Sequence, residues 1–191
     1  EMDDYLNHIA LFNMIHYQDS RNNYVDPELR VKYMYPSFFF KKNNKISNKI
    51  RVRLFKLFKS LYLNNSFKVA KSKGVVFYKG TSWFGMNFDT ISKIINFLDH
   101  SPWYFSLFEH SFCADEVFFQ TAIKYLNITD IYHDKSKLND ALRYIDWTTG
   151  PDFPRTLDAT DIPKIKKTDA FFARKFNDST DEGEYFKLIN R

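Results

Sequence analysis

Ala114-Asp115-Glu116-Val117-Phe118-Phe119-Gln120-Thr121, then Leu142-Arg143-Tyr144-Ile145-Asp146-Trp147, then Phe172-Ala173-Arg174-Lys175-Phe176 are the stretches on which the reading of this chain turns. The first opens on two acids and continues into apolar residues, which predicts a helix over Asp115 to Leu126. The second and third are rich in branched and aromatic residues and predict strands over Leu142 to Asp146 and Phe171 to Lys175, with a helical turn near Pro163, Asp161 to Lys166, between them. Upstream, Val75 to Tyr78 reads as a strand closed by Gly80, and Asn87 or Asp89 can cap a helix to about Leu98, before the Ser101-Pro102 break. Leu11 to Tyr17 and Leu29 to Tyr35 read as strands around a Pro27 turn, Asp3 to Ile9 as the end of a helix, and a terminal helix is expected from about Glu182. The alternation implies an α/β fold, a mixed sheet with flanking helices.

The chain has 191 residues, 44% of them hydrophobic and 19% aromatic, enough to bury one core, so residues 1–191 are expected to form a single domain. No apolar run approaches the roughly 18 residues that a membrane span needs. A lone cysteine, Cys113, excludes an internal disulfide and fits a reducing, cytoplasmic setting.

Charge is uneven. Residues 41–73 hold 11 Lys and Arg and no acid, leaving 17 basic residues against all 23 acids elsewhere. Within them Leu54, Phe55, Phe58, Leu61 and Tyr62 recur at helical spacing among Arg53, Lys56 and Lys59, which predicts a basic amphipathic helix over residues 49–63. Such a helix can dock its apolar face on the protein core, or lie on an anionic membrane surface with peripheral contact through residues 41–73. Nucleic acid is not expected as a partner, because acids crowd the rest of the chain and no binding motif is present.

Three kinds of residue carry chemistry. An ionised acid at a helix start, Asp115 or Glu116, suits a general base, or simply a cap. Arg174 and Lys175 could neutralise charge on a leaving group, or snorkel at a strand end. Trp147 offers a flat face on which a sugar ring can stack. There is no Asp-x-Asp pair and no ligand spacing among the histidines, so no metal or other cofactor is expected. Adjacent acids diverge on a helix, which excludes the paired carboxylates of a glycoside hydrolase, and no histidine pattern supports Cys113 as a nucleophile.

In that order the three segments resemble the core-2/I-branching N-acetylglucosaminyltransferase and peptide O-xylosyltransferase family, glycosyltransferase family 14, over roughly Trp83 to Phe176. The resemblance implies a GT-A-like catalytic domain whose N-terminal nucleotide-binding half is not seen here, since no βαβ run precedes residue 75. It implies an inverting, metal-independent transfer of N-acetylglucosamine or xylose from a UDP-sugar to a glycan hydroxyl. Glu116 takes the position of the catalytic base. Arg155, Arg174 and Lys175 fall at diphosphate-binding positions, and Trp147, Trp83 and Asp115 on the acceptor side. Gly80-Thr81-Ser82-Trp83-Phe84 resembles the family's Gly-Ser-x-Trp-Phe turn, and Arg30 aligns weakly with an acceptor-contacting Arg. A bacterial, cytoplasmic role in surface-polysaccharide assembly fits the absence of disulfides. The competing reading is a non-catalytic carbohydrate-binding or membrane-associated module, which keeps Trp147 and the basic helix and has no need of Glu116.

Overall fold

Two asparagines show how local chemistry starts the helices of this protein. Asn87 accepts a hydrogen bond from the Thr90 amide at 2.8 Å and opens a helix over Phe88–Asp99, as the sequence predicts. Asn64 caps Asn65–Ser72 by accepting from the Ser66 amide at 3.0 Å, and its side-chain amide donates to the carbonyls of Val31 and Leu107. Buried and bonded through both its oxygen and its nitrogen, Asn64 ties three segments together, and these bonds offset the desolvation of its amide. The structure, a computed structural model, describes residues 4, 7, 9–40, 45–177, 183 and 186.

In chain order the described helices are α1 (Glu28–Val31), α2 (Ser37–Phe40), α3 (Ile46–Leu57), α4 (Asn65–Ser72), α5 (Phe88–Asp99), α6 (Pro102–Phe108), α7 (Phe118–Tyr125) and α8 (Ile162–Lys166). Single 3₁₀ turns occupy Lys59–Tyr62, Ala114–Glu116 and Ala159–Asp161. Strands β1 (Arg143–Ile145) and β2 (Phe172–Arg174) pair in parallel, Tyr144 opposite Ala173. Helices with a small parallel sheet are compatible with the expected α/β class. The residues group into two compact units: 1–16, 83–85 and 131–191 in one, 17–82 and 86–130 in the other.

The helical unit, residues 17–82 with 86–130, is built around Val31, Ala70, Val75, Phe77, Tyr104, Leu107, Phe108, Val117 and Ala122. Tyr104 is its fully buried centre. Its ring meets Phe97, Phe108 and Phe118 at centroid distances of 5.0–5.1 Å, and its hydroxyl donates to the Phe118 carbonyl. Burial, and then the nearby Tyr17, push the Tyr104 hydroxyl well above its usual range.

Two expected strands of this unit take other forms. Leu29 to Tyr35 starts with α1, because Asp26 accepts from the Glu28 amide and Pro27 already has helical backbone angles; a lone bridge, Tyr33 to Leu63, follows. Val75 to Tyr78 forms no regular element but buries Val75 and Phe77 while exposing Val76 and Tyr78, a strand's alternation without a ladder. Its backbone is held by a side chain instead: Thr121 Oγ1 accepts from the Tyr78 amide at 3.1 Å.

The sheet unit packs Ile9, Tyr132 and Leu142 with Phe12, Met14 and Phe171. Leu11 to Tyr17, expected as a strand, contributes isolated bridges at Asn13, Met14 and Tyr17. Gly85, the partner of Met14, is closely approached: a Cβ there would meet the end of the Met14 side chain, Cε, at 3.1 Å. The segment expected to end a helix at Ile9 is helical at its described positions, and the terminal helix expected from about Glu182 falls largely outside the described residues.

Candidate functional site

Glu116 stands on the 3₁₀ turn Ala114–Glu116, and the backbone around it fixes where its side chain starts. Cys113 enters the turn in the left-handed conformation, φ 53°. The amide of Gly80 donates to the Glu116 carbonyl at 2.9 Å, and the Gln120 side chain donates to the Thr81 carbonyl at 2.7 Å. The Gly80-Thr81 turn therefore clamps the acidic turn from outside. Val117 separates that turn from α7, where no side-chain cap bond is made, so neither acid caps the helix.

The Glu116 carboxylate, 27% exposed, is held through one oxygen. Oε2 accepts from Arg30 Nη2 at 3.1 Å and lies 3.4 Å from Lys79 Nζ. Arg30 is itself fixed, its guanidinium lying 4.9 Å from the Phe112 ring centre and its carbonyl accepting from the Phe112 amide. Glu116 Oε1 has no partner among the described residues. The result is a carboxylate with one oxygen clamped and the other open, which is the form a positioned base requires. Asp115 beside it is exposed. Burial pushes the Cys113 thiol up, away from a reactive thiolate.

Sequence reasoning missed Lys79 and gave Arg30 only a weak place. The available signals were the lysine directly before the Gly80 turn and the Asp26-Pro27-Glu28 helix start, which carries Arg30 on a helix and not on a strand.

The sheet unit holds the other expected residues. Asp146 ends β1 and accepts from the amides and hydroxyls of both Thr148 and Thr149. These bonds, the Thr149 hydroxyl foremost, hold its carboxyl well below the usual range. The tight turn presents Trp147 at 60% exposure, a free face. Thr149 thus serves as a brace of the turn. Trp83 is also exposed, at 48%, and carries the Arg174 guanidinium 4.3 Å from its ring centre, so it is not a core residue.

The cations differ in what holds them. Arg174 stacks on Trp83, and Lys175 is exposed with no ion pair among the described residues. Arg155 pairs with buried Asp161 at 3.0 Å and with Asp158 at 3.4 Å. Arg143 stacks on Phe172 at 4.4 Å and its Nε is buried without a partner. Burial, and then the nearby Arg174, weaken its hold on its proton. Arg143 and Arg174 therefore form a like-charge cluster that an anion would stabilise, and Arg143 was not singled out from the sequence.

A search of curated proteins and a search of solved structures found no match. Residues 29–170 match the family model described as Core-2/I-Branching enzyme, a span that includes Arg30, Lys79, Glu116, Trp147 and Arg155 and stops before Arg174. The match covers well over half of the chain, which therefore belongs to the core-2/I-branching enzymes, a family of glycosyltransferases.

Proposed function

We propose that this chain serves an inverting, metal-independent transfer of N-acetylglucosamine or xylose from a UDP-sugar to a glycan hydroxyl, as in glycosyltransferase family 14. The single observation that carries the reading is the Glu116 carboxylate, clamped at Oε2 by Arg30 and Lys79 with Oε1 left open. In this scheme Oε1 takes the acceptor hydroxyl's proton as that oxygen bonds to the anomeric carbon. The bond from that carbon to the diphosphate breaks on the opposite face, and its electron pair leaves with UDP. Arg174 and Lys175, with Arg143 near Arg174 and a lesser share from the carboxylate-paired Arg155, supply countercharge to the departing diphosphate, the task that a metal performs in other transferases. Trp147 and Trp83, both exposed, offer stacking faces to the acceptor, with Asp115 available to its hydroxyls.

The same reading makes the chain the acceptor-side and C-terminal part of a GT-A-like catalytic domain, cytoplasmic and bacterial, in surface-polysaccharide synthesis. The lone cysteine and the family's need for a nucleotide-binding βαβ half support it. The test uses the parent enzyme with UDP-N-acetylglucosamine and UDP-xylose as donors. Transfer that survives a chelator and inverts the anomeric centre, read by NMR, is the expected result. Retention of configuration, or loss of turnover that added metal restores, would overturn it.

A further inference from the structure

The basic helix α3 turns its aliphatic side away from the protein. At about 100° per residue, Ile46, Ile50, Leu54 and Leu57 fall on one stripe, and they are 76%, 53%, 50% and 72% exposed. The opposite side carries the buried contact: Phe55 is 5% exposed and meets Tyr35, Phe39 and Tyr62 at centroid distances of 5.1–5.4 Å. Val52 and Asn48, on the same side, are half-buried. Lys49, Arg53 and Lys56 border the stripe on one flank and Arg51 on the other, all exposed. Leu61, in the turn that follows, is 79% exposed.

Core docking thus explains Phe55 and leaves the stripe unexplained. A contiguous aliphatic patch on the surface marks a docking site. The charge around it selects the occupant. Residues 41–73 carry 11 Lys and Arg and no acid, whereas the centre of a protein interface is depleted of lysine. Single-stranded nucleic acid is gripped by aromatic platforms, and the stripe has only Ile and Leu. An anionic bilayer suits both features at once, aliphatic residues entering the acyl boundary while long basic side chains reach the headgroups. No described helix is long and apolar enough to cross a membrane.

We propose that α3 lies in the plane of an anionic lipid surface, with Ile46, Ile50, Leu54 and Leu57 inserted and Lys49, Arg51, Arg53 and Lys56 on the headgroups. This does not depend on the glycosyl-transfer reading, since none of these residues belongs to that site. The test is co-sedimentation of the whole 191-residue chain with vesicles of phosphatidylcholine containing about 30% phosphatidylserine, against phosphatidylcholine alone. Binding to the anionic vesicles only is expected. Lys49→Gln, Arg53→Gln and Lys56→Gln together should lower the partition coefficient by roughly 100-fold, at about fivefold per basic residue. Ile50→Ser with Leu54→Ser should lower it at least about tenfold. Both sets change exposed side chains, and unchanged melting temperatures show that the fold is intact. No sedimentation at low salt would overturn the proposal. So would full binding by the serine variant, which would reduce the contact to charge alone, or a concentration-dependent dimer that this variant dissolves, which would make a second copy the occupant.

Discussion

Replacing Glu116 by Gln separates chemistry from packing, because the proposed base role falls to Oε1 while the Arg30 and Lys79 contacts are made by Oε2. The amide keeps the size and can still accept from Arg30, but it can take no proton and carries no charge. Loss of general-base assistance should lower turnover by about 10²–10⁴, which corresponds to about 3–5 kcal/mol on the barrier. The stability cost is smaller. A hydrogen bond to a charged group contributes about 1.5–3 kcal/mol and a neutral one about 1, so the Arg30 contact at 3.1 Å should lose about 1 kcal/mol. The longer Lys79 contact, at 3.4 Å, adds less. The melting temperature of a chain this size should then fall by about 2–6 °C. This differs from a helix cap, which Glu116 does not provide. The pair is isolated by a double-mutant cycle with Arg30→Met, followed by thermal denaturation and by a transfer assay in the parent enzyme. Stability losses should be less than additive, since Glu116→Gln weakens, and Arg30→Met removes, the same contact. Parental turnover in Glu116→Gln would refute the base assignment, and additive stability losses would refute the clamp.

The cations should separate in the same assays. Lys175→Ala should weaken UDP binding about tenfold or more and leave the melting temperature unchanged, because the side chain is exposed. Arg155→Ala should instead destabilise the fold by about 3 kcal/mol, since it takes the nearer cation from the buried Asp161 carboxylate and leaves it the Asp158 amide and the more distant Lys164; a calorimetric titration with UDP beside a melting curve distinguishes the two. Trp147→Ala should raise the acceptor KM about tenfold with kcat and stability nearly unchanged, as expected for loss of an exposed stacking face. For Asp146, the folded carboxyl binds its proton less readily than the unfolded one, so its contribution is present above the ordinary carboxylate pKa of about 4 and is lost as pH falls below it. Asp146→Asn should flatten the melting-temperature profile in that acid range; an unchanged profile would remove Asp146 as its source.

The helix start at Asn87 was legible, because a short polar side chain precedes an amide it can accept from three residues ahead, whereas the Asn64 cap of α4 was not read from the sequence. The early strands were not legible either. Aromatic and β-branched content predicts side chains that fit a half-buried strand, and Val75 to Tyr78 has that alternation of burial. Pairing is a property of the partner, however, and here the neighbour is α7, whose Thr121 supplies a hydroxyl where a ladder would supply a carbonyl. At Leu29 to Tyr35 the composition was outweighed by three residues, Asp26, Pro27 and Glu28, that favour a helical first turn whatever follows them. The basic helix was legible as a helix, but its spacing could not say which side is buried: Leu54 and Phe55 are neighbours in sequence, and only Phe55 faces inward.

The site divides along the same line. Glu116 and Trp147 could be picked out because their chemistry resides in one side chain and a recognisable segment carries each. A cation's role depends on which carboxylate the fold sets against it, and that partner can lie far away in sequence. Arg30 meets its acid 86 positions later, so nothing near Glu116 announces the clamp. Arg155 and Lys175 look equivalent in sequence, yet Asp158 and Asp161 fold back onto Arg155 while Lys175 is left exposed. An incoming diphosphate would have to compete with two carboxylates for Arg155, whereas Lys175 pairs with no carboxylate among the described residues. Of the two, Lys175 should therefore gain more interaction with the leaving group, and Arg155 should act mainly by bracing the turn that presents Trp147, through the Asp146 carbonyl and the Thr149 hydroxyl that it also contacts.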